Sequence, residues 1–216
     1  KIGLMCKTRY EWTLIDFAVW FAGAVLVPVY ETSSPAQVRW NLSDSGAIAI
    51  IVETPDHFSR FDEVHPDLPA VQHVWQIDLG DLDKLAASGG EVSDEEIERR
   101  RSIANADDIA TLIYTSGSTG YPKGAVSRQR GMVSAVFNYT AAGLTMLQIT
   151  MQDAAARGET VDPNAMPQPV ALLPVPLFHI TGLVPILLVC FVIGRKLVIM
   201  HKWDVVTAFR LIEQEK

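Results

Sequence analysis

Ile109-Ala-Thr-Leu-Ile-Tyr-Thr-Ser-Gly-Ser-Thr-Gly-Tyr-Pro-Lys-Gly124 decides how this chain is read. Residues 109–114 are an apolar run of strand length, rich in β-branched and aromatic side chains, and predict a buried strand. The run leads straight into a loop whose three glycines (Gly117, Gly120, Gly124) let the backbone turn tightly and approach a ligand closely. Four hydroxyls, on Thr115, Ser116, Ser118 and Thr119, and the free backbone amides can donate to phosphate oxygens. Lys123 adds the point charge that a polyphosphate requires. A helix is predicted from about Gln129 to Leu147, so the loop is expected between a strand and a helix, the usual setting of a phosphate site in an α/β sheet. The common nucleotide-triphosphate loop needs Gly-Lys followed by Ser or Thr, whereas here Pro122 precedes the lysine and Gly124 follows it. A plain surface loop is the competing reading, and ten residues of this composition argue against it.

Upstream, strands and helices alternate. Residues 2–6 read as a strand. Thr8 to Glu11 has the form of a capping box, predicting a helix over residues 9–22 that Gly23 would close. Residues 25–29 follow as a strand. Ser34-Pro-Ala-Gln37 repeats the start signal with proline at the first helical position, Gly46 ends that helix, and residues 47–52 are the next strand. Thr54-Pro55 opens a short helix, 71–77 can be a strand, and Asp94 to Arg101 a helix. Downstream, 157–168 is rich in turn formers and reads as a loop. Residues 170–174 and 195–200 read as strands, and Asp204 can cap a last helix. This order predicts an α/β fold with a mainly parallel sheet and helices on both faces.

The chain has 216 residues and a formal net charge of −7. That balance disfavours nucleic acid, whose backbone demands clustered Lys and Arg. Much of the acid lies in residues 78–108, a solvated stretch in which Glu95, Glu96 and Glu98 read as an exposed helix face. Cys6 and Cys190 sit in apolar runs without metal-ligand spacing and are expected to be buried, reduced thiols, in keeping with a cytoplasmic protein. Residues 183–194 are strongly apolar but too short to span a bilayer, so a buried helix is expected there and no transmembrane span, with peripheral membrane contact left open. The sequence carries no signal for oligomeric state.

The loop YTSGSTGYPKG of residues 114–124 resembles the signature loop of the adenylate-forming superfamily: acyl-CoA synthetases, peptide-synthetase adenylation domains and luciferases. Trp20 to Tyr30 (WFAGAVLVPVY) resembles that family's early helix-to-strand segment, and Pro176 to Gly182 (PLFHITG) the motif that follows the loop. The resemblance is nearest to bacterial long-chain fatty acid–CoA ligases. It implies that residues 1–216 are part of the large N-terminal domain, with 1–108 as a first α/β portion and 109–216 carrying the phosphate loop and an acyl pocket.

It also implies activation of a carboxylic acid by ATP, with Mg²⁺, to an acyl-adenylate, then transfer of the acyl group to coenzyme A. Thr115, Ser116, Gly117, Ser118, Thr119, Gly120, Lys123 and Gly124 would hold the nucleotide phosphates. Thr115 would lie near the metal. Lys123 and His179 are the catalytic candidates, with His179 at the carboxylate pocket; read from the sequence alone, a core histidine is the alternative. His57, His65, His73 and His201 have no partner at ligand spacing. The family's Tyr-Gly-x-Thr-Glu and Thr-Gly-Asp motifs, hinge and C-terminal catalytic lysine are not found, so the 216 residues are expected to be incompetent alone. A noncatalytic nucleotide-binding remnant, and an enzyme of aryl or amino acids, stay open.

Overall fold

The computed structural model describes residues 1–116, 120–160, 162 and 168–215, which form two compact units, Lys1–Arg130 and Gly131–Lys216. The boundary between them follows Arg130, because the strand after the Gly-rich loop completes the sheet of the first unit.

Five strands of that unit are parallel: β1 (Ile2–Met5), β2 (Leu26–Val29), β3 (Ala49–Val52), β4 (His73–Gln76) and β5 (Ile109–Thr115). The spatial order is β4-β3-β1-β2-β5, with β6 (Lys123–Arg128) antiparallel at the β5 edge. The connection from β1 to β2 runs one way across the sheet and that from β2 to β3 runs back, so right-handed crossovers place their helices on opposite faces. α2 (Pro35–Ser45) and α3 (Pro55–Asp62) cover one face, over a core in which Val38, Leu42 and Phe61 meet Met5, Val29, Ile50 and Val52. α1 (Tyr10–Phe21) takes the other, burying Trp12, Ile15 and Val19. α4 (Asp81–Ser88) and α5 (Asp94–Arg101) have no buried residue, as the acidic composition of that stretch predicts.

The predicted starts and stops hold for α2, which has Pro35 in its first turn, a reciprocal Ser34–Gln37 capping box and Gly46 at φ 67°. Thr54 caps α3, Asp204 caps α8 (Val205–Gln214), and Gly23 follows α1 at φ 70°. The predicted Thr8 box does not form. Arg9 is the N-cap of α1 and receives no side-chain bond there, because its guanidinium takes Glu11 through two bonds of 2.7 Å. The same guanidinium reaches Asp78 at 2.9 Å and the buried Glu53 at 3.2 Å, tying α1 to the carboxyl ends of β3 and β4. A fork that can pair with three carboxylates outbids a single amide for the glutamate.

The second unit contains most of α6 (Gln129–Ala156), a parallel pair β7 (Val170–Leu173) and β8 (Lys196–Ile199), α7 (Val189–Ile193) and α8. The apolar run expected to be one buried helix is instead a π-helical stretch, Gly182–Leu188, followed by α7. Pro185 lies inside the stretch, and its lack of an N–H favours the wider winding. Leu183 and Leu187 are buried, whereas Phe191 and Val192 are exposed. α6 runs past the predicted end at Leu147, and by length and composition it is the one described helix that could cross a membrane. Cys6 and Cys190 are buried free thiols, and burial pushes both up.

Candidate functional site

The loop expected to hold phosphate joins two antiparallel strands, not a strand and a helix. β5 is buried from Ala110 to Tyr114 and surfaces at Thr115, and the chain returns along β6 from Lys123. A helix N-terminus therefore does not follow the loop directly, and no helix dipole points at it from that side. The register sets Thr115 opposite Lys123 and Tyr114 opposite Gly124. Cross-strand partners carry their side chains on one face of a ladder, so the Thr115 and Lys123 side chains leave the mouth of the hairpin on the same face. Both residues are exposed, as are Ser116 and Gly120. Gly117, Ser118 and Thr119 lie outside the described residues.

Packing leaves little room for a side chain at position 124. A Cβ there would come to 3.3 Å from Cζ of Tyr114, whose ring crosses the glycine. The Tyr114 hydroxyl donates to Asp44 Oδ2 at 2.6 Å, and burial together with this bond raises its pKa. One turn earlier on α2, Trp40 donates its indole N–H to the Pro122 carbonyl at 2.8 Å and stacks on Tyr121 with ring centroids 4.4 Å apart. The residues on both sides of Lys123 are thus tied to α2. Sequence reading missed Trp40 and Asp44. Their only local signal is that an indole and a carboxylate, four residues apart, lie beside the apolar stripe of Val38 and Leu42.

His179 is exposed, so it is not the core histidine of the alternative reading. It sits in the turn after Leu177 and Phe178, both buried, with its ring 5.9 Å from that of Phe178. Its amide donates to the Pro176 carbonyl at 3.1 Å, and its own carbonyl accepts from Gly182 and Leu183. A Cβ on Gly182 would stand 2.4 Å from the Pro176 oxygen, so only glycine closes this turn. The loop and His179 lie in different units.

The fit to a divalent cation is of one kind. No group of three His, Cys, Asp or Glu side chains that could cage a metal occurs among the described residues. Mg²⁺ commonly binds by one or two protein oxygens plus substrate phosphates, and an exposed Thr115 hydroxyl beside Lys123 suits that arrangement. Three other histidines have structural surroundings: His57 is buried on α3 and burial lowers its pKa, His65 sets its ring 4.8 Å from that of Phe61, and His73 stacks on Trp75.

Over 151 residues the chain is 40% identical to the long-chain-fatty-acid–CoA ligase FadD15 of Mycobacterium bovis, a match covering 68% of this chain and 25% of FadD15. It is 28% identical to 4-coumarate–CoA ligase-like 5 of Oryza sativa subsp. japonica, across 98% of this chain and 35% of that protein. Among solved structures, the inhibitor-bound N-terminal domain of FACL13 from Mycobacterium tuberculosis superposes with a TM-score of 0.69 at 24% identity, covering 99% of this chain and 47% of that one, which shows a shared fold. The chain thus spans less than half the length of each of these proteins. The model of the AMP-binding enzyme family matches residues 1–216, and the chain belongs to that family.

Proposed function

We propose that this chain supplies the nucleotide-phosphate side of an ATP-dependent acid–thiol ligase whose substrate is a fatty acid. The observation that carries the reading is the hairpin mouth: Thr115 and Lys123 are paired across it and exposed, and no carboxylate pairs with Lys123 among the described residues. In the reaction a substrate carboxylate oxygen attacks the α-phosphorus of ATP. A bond to the α-phosphorus forms, the bridge to the β-phosphate breaks, and pyrophosphate leaves with the electron pair. Lys123 and the loop hydroxyls stabilise the charge that collects on the leaving group, which is where fixed donors lower a barrier most. Mg²⁺, when bound, shares that charge. His179 is the candidate to flank the carboxylate; the coenzyme A thiol then loses its proton and attacks the acyl carbonyl, the thioester bond forms, and AMP leaves with the electron pair of the broken acyl–oxygen bond.

The 40% identity to FadD15 supports the fatty acid. An aryl acid is the second reading, supported by the likeness to 4-coumarate–CoA ligase-like 5 over 98% of the chain. Titration of this chain with Mg-ATP tests the phosphate site: Lys123→Ala is expected to weaken binding about tenfold or more, as loss of a charge-assisted contact does. Equal affinity for parent and variant overturns the assignment. ATP–pyrophosphate exchange by the full reading frame, with fatty, aryl and amino acids in parallel, decides the substrate class.

A further inference from the structure

We infer that Trp40 and Tyr121 form a latch that positions Lys123 for phosphate, making both of them positioning residues of the site; the inference rests on the phosphate-loop reading above. Lysine carries its charge on a flexible four-carbon stem, so its effectiveness depends on where the backbone holds that stem. One helix fixes both neighbours of Lys123. On one side the Pro122 carbonyl accepts the Trp40 N–H at 2.8 Å, while Tyr121 lies over the same indole at an interplanar angle of 20°. On the other, the Tyr114 ring packs on Gly124 and is itself held by Asp44 at 2.6 Å. The side chain between these two anchors is left exposed.

Core packing does not account for the stack. Tyr121 is 66% exposed. The Trp40 indole is half-buried, and its N–H finds a partner in the loop, 82 residues away. Pro122 has no N–H of its own, so its carbonyl is the group through which α2 can grip that residue's backbone.

The test is calorimetric titration of the whole chain with inorganic tripolyphosphate and Mg²⁺, alongside thermal unfolding. Tyr121→Ala is expected to bind about fivefold more weakly with an unchanged unfolding midpoint, a loss in line with one aromatic pair. Tyr121→Phe should restore parent affinity, since it keeps the stack. Trp40→Phe keeps the ring but not the N–H and is expected to fall between them. In the Trp40→Phe/Tyr121→Ala double variant the losses should be non-additive. Parent-like affinity in Tyr121→Ala, with Lys123→Ala still defective, overturns the latch and leaves the phosphate site standing. If Lys123→Ala also binds like the parent, the phosphate reading falls and the latch with it.

Discussion

Asp16 lies fully buried on α1, and neither carboxylate oxygen has a hydrogen-bond partner among the described residues; the same holds for Trp12 Nε1 and Thr13 Oγ1, one turn earlier. Burial alone drives the Asp16 pKa well above its ordinary 3.8. The sign of the consequence is fixed by linkage. The folded chain keeps this proton at a pH where the unfolded chain has released it, so stability falls as pH rises from the ordinary carboxylate range toward the raised value, by up to about 1.4 kcal/mol per unit. Asp16→Asn is uncharged throughout, so in urea titrations at pH 4, 6 and 8 the variant should gain on the parent as pH rises. Parallel pH profiles would show that the carboxyl is ionised or solvated in the fold. Gly182→Ala makes a separate demand. A methyl 2.4 Å from a backbone oxygen forces the 176–182 turn to move, at a cost of about 1–3 kcal/mol if it behaves as other overpacked sites do. A parent-like urea midpoint would contradict that reading. Thr115, Lys123 and Gly182 were legible in the sequence because residue type and order mark the motifs. The environment of Asp16, and the oxygen that makes Gly182 obligatory, were not, since both depend on contacts that only the fold creates.

Local signals identified elements where a short-range reward stood unopposed. Ser34, Pro35, Gln37 and Gly46 each act within a few residues, and α2 begins and ends as they dictate. Ser34→Ala should therefore cost about 1 kcal/mol, read as a lower urea midpoint with an unchanged slope. No shift would mean that packing by Val38 and Leu42 alone holds the first turn. Thr8 failed as a cap because Arg9, which pairs with Glu53 and Asp78 far along the chain, captured Glu11. β6 escaped notice for a related reason. Lys123–Arg128 is short, carries no fully buried residue, and becomes a strand by pairing with β5. Its signal was two short runs flanking a Gly-containing loop, the mark of a hairpin, but the loop's phosphate chemistry suggested a helix next. That substitution changes the local geometry, since the loop is flanked by paired strand ends braced by α2 and not by a helix terminus.

At the scale of the molecule, the two units differ in how their strands are supported. β1 is bonded on both sides, by β2 and β3, and the sheet around it is covered by α2 and α3 on one face and α1 on the other. β7 and β8 form a sheet of two strands in which most positions are only half-buried. Two-stranded pairs have little stability of their own, and exposed Val133, Phe137, Leu144 and Ile149 on α6 bury little apolar area in compensation. Opening free energy should follow this contrast, because local unfolding draws on the segments with the least buried apolar surface. Hydrogen exchange of the intact chain is thus expected to find the β1 and β3 amides slowest, and those of β7 and β8 faster by about tenfold or more, with a shallower dependence on added denaturant. Equal rates and equal slopes across all four strands would mean that the chain opens as a single cooperative body. In that case the break at Arg130 would be geometric and not energetic, and the buried apolar surface of a segment would not set its opening free energy here.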